Sequence, residues 1–119
     1  MRVLVVEDDL NLSQMLMALF EDEGWACVRG EDGRDGLEQL MADPVDAVVT
    51  DLMMPGADGF HLLDGMVERG LEAPVYVFSA AHPSLLNRAR RYTSVQQVIP
   101  KSDGPIALLA AVALLAAKL

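Results

Sequence analysis

The feature that most constrains this chain is an alternation of short β-branched runs with segments of helical spacing, repeated five times. Val3 to Val6 is apolar at every position, as expected of a strand covered on both faces. Leu12, Met15, Leu16, Leu19 and Phe20 then share one helical face, which Gly24 ends. Trp25 to Arg29 reads as a second strand. Asp32 can cap a helix carrying Leu37, Leu40 and Met41, with Pro44 beyond its end. Asp46 to Thr50 is a third strand running directly into Asp51, and Pro55-Gly56-Ala57-Asp58-Gly59 is turn chemistry. Leu62, Leu63, Met66 and Val67 mark the next helix. Val75 to Phe78, Pro83 to Arg91, Val95 to Ile99 and about Pro105 to Leu119 complete the series as strand, helix, strand and helix. Such a pattern predicts an α/β fold, (βα)5, with a doubly wound five-stranded parallel sheet and right-handed crossovers.

A chain of 119 residues suffices for one core and is too short for two, so residues 1–119 are read as one domain. Its net charge of −9 argues against direct contact with nucleic acid, because each phosphate contact needs a cation. Cys27 is the only cysteine, which excludes an internal disulfide and suits a packed thiol in a reducing compartment. The opening residues lack a secretory h-region, and the longest apolar stretch, Ile106 to Ala117, is short for a bilayer span. A cytoplasmic location without membrane contact is the expectation.

In open parallel sheets, ligands bind beyond the carboxyl ends of the strands. There the sequence places Glu7, Asp8 and Asp9 after strand one, Asp51 after strand three, Ser79 at the end of strand four and Lys101 after strand five. Each has an ordinary reading: acids at a helix start, a turn aspartate, a surface serine, a surface lysine. Their placement at the same end of successive strands points instead to phosphoryl chemistry. Crowded carboxylates suit a hard divalent cation, a carboxylate can attack phosphorus, and the transferred group is stabilised by cations and hydrogen-bond donors.

At these residues the sequence resembles the receiver domain of bacterial two-component response regulators. The resemblance spans essentially the whole chain. It rests on Val-Val-Glu-Asp-Asp at 5–9, Asp-Leu-Met-Met-Pro-Gly-Ala-Asp-Gly at 51–59, Phe-Ser-Ala at 78–80 and Pro-Lys-Ser at 100–102. It implies a flavodoxin-like strand order, 2-1-3-4-5. It also implies that Asp51 accepts the phosphoryl group, that Ser79 is the switch hydroxyl, and that Lys101 pairs first with Asp51 and then with the phosphate. Mg²⁺, replaceable by Mn²⁺, would be held by Asp8, Asp51 and the Met53 backbone carbonyl, with Glu7 acting through water. The donor would be a sensor histidine kinase or a histidine phosphotransfer protein. The chain would be a switch rather than an enzyme for an external substrate, with phosphorylation biasing the face of the fourth helix, fifth strand and last helix toward an output domain or a second copy. Met53 and Ala81 flank the site, two residues after the acceptor and two after the hydroxyl. Neither can hold a water for in-line attack, so slow self-dephosphorylation is expected.

Three departures from the family pattern stand out. Ser102 follows the lysine where proline is usual, often with a cis bond; a non-proline cis bond costs about 2.5–4 kcal/mol, so a trans or strained loop is expected. Val98 stands where the family has its aromatic switch residue, and Tyr92 lies too far back to be a simple replacement. Tyr92-Thr93-Ser94 replaces the small Gly-Ala turn before strand five. A degenerate receiver that binds partners without phosphorylation is the alternative these departures favour. A phosphohydrolase resembling the haloacid dehalogenases would need Asp-x-Asp after strand one, and a flavin-binding domain a Ser/Thr/Gly loop there; Glu7-Asp8-Asp9 supplies neither. On the last helix, Leu108, Val112, Leu115 and Leu119 are expected to face the sheet, with Ala107, Ala111, Leu114 and Lys118 opposite, either modestly exposed or a partner surface. Arg88, Arg90 and Arg91 form a basic group on the fourth helix, read as a solvated face or a contact for an acidic partner. His61 and His82 suggest no metal site.

Overall fold

The computed structural model describes residues 1–119. Strands β1 (Arg2–Val6), β2 (Ala26–Gly30), β3 (Ala47–Thr50), β4 (Val75–Ser79) and β5 (Val95–Pro100) form one sheet in the order β2-β1-β3-β4-β5. Every pairing is parallel, as Val6 opposite Gly30 and Thr50, and Ser79 opposite Pro100, show at the carboxyl edge. The helices are α1 (Leu10–Asp22), α2 (Gly33–Ala42), α3 (Gly59–Arg69), α4 (Pro83–Ala89) and α5 (Pro105–Ala116).

The period-two geometry of a strand explains why β1 is apolar throughout. Leu4 and Val6 point to a core built with Leu37 and Leu40 of α2, Leu62, Leu63 and Met66 of α3, and Leu86 of α4. Val3 and Val5 point the other way, to Leu16 and Phe20 of α1 and Leu108 and Val112 of α5. Three helices therefore cover one face and two the other. Asp9, Asp32 and Asp58 cap α1, α2 and α3, accepting from the N–H groups of Leu12, Asp35 and His61.

The expected elements are all present, with different ends. The fourth helix closes at Ala89 rather than Arg91, so Arg90 and Arg91 follow it. The last helix closes at Ala116, and Leu119 is 70% exposed beyond it instead of facing the sheet. Ala111, expected on the outer side, is buried between Leu108 and Val112. A 3₁₀ turn at Lys101–Asp103, between β5 and α5, has no counterpart in the sequence reading. All peptide bonds are trans, including Lys101–Ser102.

Two close approaches fix the loop that follows β3. Gly33 donates its N–H to the Ala57 carbonyl at 2.8 Å, and a Cβ on Gly33 would lie 2.1 Å from the Asp58 carbonyl oxygen. A Cβ on Gly59 would lie 2.3 Å from the Asp51 carbonyl oxygen, so α3 starts directly against the backbone of Asp51. Helix propensity alone would favour alanine at position 33 by about 1 kcal/mol. The contact reverses the sign: Gly33→Ala is expected to lose about 1–3 kcal/mol in urea unfolding through overpacking. Leu119→Ser should stay within about 0.5 kcal/mol of the parent in the same experiment.

Candidate functional site

The site is assembled by strand ends. β1 delivers Glu7 and Asp8, β3 delivers Asp51, β4 ends at Ser79, and β5 leads through Pro100 to Lys101. Carboxylate oxygens of Glu7, Asp8 and Asp51 all lie within 4.8 Å of one another. Glu7 and Asp51 are buried, whereas Asp8 is exposed, so the cluster is open on one side.

Lys101 joins the two buried acids. Its Nζ donates to Glu7 Oε1 at 2.8 Å and to Asp51 Oδ2 at 2.7 Å. The other oxygen of Asp51, Oδ1, accepts from the N–H groups of Leu52 at 2.7 Å and Met53 at 3.2 Å. Glu7 Oε2 accepts from Asp9 N at 3.2 Å. Both buried carboxylates are thus held by charge-assisted bonds or backbone donors on each oxygen.

Burial raises the Glu7 pKa, and the hydrogen bond from Lys101 offsets this only in part. For Lys101, burial works to lower the pKa, but its hydrogen bonds to Asp51 and Glu7 and their charges prevail and hold it above the ordinary lysine value. Lysine therefore stays protonated. Ser79 is fully buried, and its Oγ accepts from Ala81 N at 3.1 Å. The hydroxyl is at the acid-bearing edge, held by the segment that leads into α4.

Three carboxylates facing one ammonium leave uncompensated negative charge, and all the donors are hard oxygens with one side open to solvent. These residues fit a hard divalent cation such as Mg²⁺. The backbone carbonyl of Met53 takes no backbone N–H, and the side chain is exposed.

One participant was not singled out by the sequence reading. Arg29, in β2, donates from Nη2 to the carbonyls of Glu7 at 3.0 Å and Asp8 at 3.3 Å. A charged residue in the strand pairing with β1 was the available signal. Farther out, the Arg88 guanidinium lies 4.0 Å from the centre of the Phe60 ring. Tyr92 packs against the same ring and donates its hydroxyl to Asp64. Tyr92 thus bridges α3 and the end of α4, while Val98 packs half-buried among the α2–α3–α4 core. His82 caps α4 by accepting Ser84 N on Nδ1, at 3.1 Å. Cys27 is a packed thiol, its pKa pushed up to about 11 by burial and by the nearby Glu21 charge. No helix is long and apolar enough to cross a membrane.

Comparison with known proteins agrees with this fold. The family model of the response regulator receiver domain matches residues 3–113. The transcriptional regulatory protein DltR of Streptococcus agalactiae is 38% identical over 80 residues, covering 67% of this chain and 36% of that protein. QseB of Escherichia coli O157:H7, also a transcriptional regulatory protein, is 35% identical over 80 residues, 67% of this chain and 36% of its own length. The match thus spans about a third of these relatives. Among solved structures, the Francisella response regulator 1452 receiver domain superposes with a TM-score of 0.86 at 26% identity, covering 96% of this chain and 94% of that one. The response regulator TrrA of Thermotoga maritima, solved with Mg²⁺–BeF, shares the fold at a TM-score of 0.81 and 23% identity, covering 96% and 97%.

The raised Glu7 pKa has a consequence for metal-free protein. Between the ordinary glutamate value, about 4.3, and the raised one, the folded state binds more protons than the unfolded state. Stability conferred by this group therefore falls as pH climbs through that window. The difference in urea midpoint between wild type and Glu7→Gln, measured in chelator, should move in favour of the variant as pH rises from acid toward neutral. Parallel profiles would contradict the burial account.

Proposed function

We propose a function from one premise: the chain belongs to the response regulator receiver domain family. It accepts a phosphoryl group on Asp51 and acts as a signalling switch, not as an enzyme for an external substrate. The observation that carries this reading is the Lys101 bridge. One ammonium hydrogen-bonds both Asp51 and Glu7 at the edge of the sheet, beside an exposed Asp8.

In the transfer, a carboxylate oxygen of Asp51 forms a bond to phosphorus as the phosphorus–nitrogen bond of a phosphohistidine breaks. The electron pair stays on the imidazole nitrogen, which takes up a proton. A histidine kinase or phosphotransfer protein is the donor. The Leu52 and Met53 N–H groups fix one face of the carboxylate, and Lys101 is placed to neutralise charge gathering on the phosphoryl oxygens. Glu7, Asp8, Asp51 and the Met53 carbonyl would hold Mg²⁺ or Mn²⁺, which when bound supplies further neutralisation of those oxygens. The surface cavities lie away from the acids, the largest, about 380 Å³, between the end of α3 and the α4–β5 connection. A protein-borne phosphoryl group therefore suits the site better than an enclosed organic substrate.

Phosphorylation adds about −1.5 to −2 charge at Asp51. Lys101 would then turn from the carboxylate to the phosphate, and the buried Ser79 hydroxyl would leave Ala81 N to donate to it. The Ala81–His82 segment moves with Ser79, which couples the site to α4 and to an output domain of the transcriptional-regulator kind or a second copy. Lacking an aromatic at position 98, this coupling runs through the Ser79–α4 segment. Action as a phosphorylation-independent binding module is the alternative outcome.

Intact mass after incubation with a small phosphodonor and Mg²⁺ should show one added phosphoryl group, absent in Asp51→Asn and in chelator. No gain in folded wild type would favour the binding module. With Met53 and Ala81 flanking the site, the labelled protein should also lose its phosphoryl group slowly, and Met53→Glu, which can hold a water, should lose it faster.

A further inference from the structure

We infer that Arg29 is a positioning residue for the acidic loop, holding the Glu7 and Asp8 backbone so that their carboxylates stay gathered for a divalent cation beside Asp51. This inference rests on the divalent-cation reading of the site.

The loop between β1 and α1 is fastened group by group. Glu7 N donates to Gly30 O at 3.2 Å, Asp9 N donates to Glu7 Oε2 at 3.2 Å, and the Asp9 carboxylate accepts Leu12 N at 3.1 Å. The carbonyls of Glu7 and Asp8 are held by the Arg29 guanidinium, at 3.0 and 3.3 Å. The same guanidinium has a buried Nε with no acceptor, and its ion pair with Glu31 is long, at 3.8 Å. An arginine with an orphaned buried N–H is a costly choice for stability alone. Its committed contacts are the two loop carbonyls.

Physical chemistry gives those contacts a task. Three carboxylates within 4.8 Å repel one another, and an unfastened loop relieves the repulsion by turning Asp8 away. Freed carbonyls are also hard oxygen ligands that compete with the carboxylates, and Mg²⁺ tolerates little departure from octahedral geometry. Arg29, bonded to the Glu7 and Asp8 carbonyls, opposes both changes.

Bare electrostatics makes the opposite forecast. A cation near a metal site repels the metal, so removing Arg29 should tighten binding if only its charge matters. The sign therefore separates the two accounts. Mn²⁺ binding to the full chain, followed by electron paramagnetic resonance, should weaken about tenfold in Arg29→Ala, the scale typical of lost support around metal ligands. Arg29→Lys, which keeps the charge but not the planar fork, should recover only part of the affinity, and it serves if the alanine variant fails to fold. Glu31→Gln should bind as wild type. Labelling of Arg29→Ala by a small phosphodonor should return to within about twofold of wild type at saturating Mn²⁺, because positioning is bypassed once metal is bound. Binding by a folded Arg29→Ala as tight as wild type, or tighter, would overturn the assignment of Arg29. Wild type without Mn²⁺ affinity, or an Asp8→Asn variant with unchanged affinity, would overturn the metal reading and this inference with it.

Discussion

The pair of hydrogen bonds from Lys101 to Asp51 and Glu7 is the interaction on which the rest of the site depends. Two buried carboxylates at one sheet edge would repel each other. A single ammonium at 2.7 and 2.8 Å bridges the two and holds Asp51 Oδ2 in place. The lysine is brought there by β5, at the far side of the sheet from Glu7's neighbour β2, so the bond closes only when the five strands have taken their order. Folding and assembly of the site are the same event.

Around that bond, backbone contacts do most of the shaping. Gly59 lets α3 begin against the Asp51 carbonyl, and Gly33 lets α2 dock on the Ala57–Asp58 segment. The loop after Asp51 is therefore pinned at both ends of its turn, and its Leu52 and Met53 N–H groups are free to hold the carboxylate. Arg29 plays the corresponding part for the loop after β1. A rigid frame with a few exposed oxygens is what a site needs when positioning and electrostatics supply most of the rate.

Departures from the family pattern now have locations. Ser102 sits in the 3₁₀ turn that follows Lys101, with a trans bond between them. Val98 is a packing residue, while Tyr92, just past the end of α4, is anchored to Asp64 and Phe60 on α3. The α3 start, which touches the Asp51 backbone, and the short segment joining Ser79 to His82 are the two connections that lead from the site toward α4.

The sequence by itself determined the class of fold and the location of the site. Short, β-branched, continuously apolar runs such as Val3–Val6 suit strands buried on both faces, and alternation with amphipathic segments leaves a parallel sheet as the simple solution. Residues just past such strands must meet at one edge, which is why Glu7, Asp8, Asp51, Ser79 and Lys101 were legible as a group. Element ends were less so: α5 is apolar on every side, so periodicity placed Ala111 outward and Leu119 on the sheet, and the structure reverses both. Only the tertiary structure decided the clamp of Arg29 on two loop carbonyls, the seats of Gly33 and Gly59, and the Phe60–Arg88–Tyr92–Asp64 cluster. These contacts join residues up to 32 positions apart or depend on which carbonyl a loop turns outward. Periodicity reports which face a side chain takes, whereas such contacts are set by the relative placement of whole elements, which no local pattern encodes.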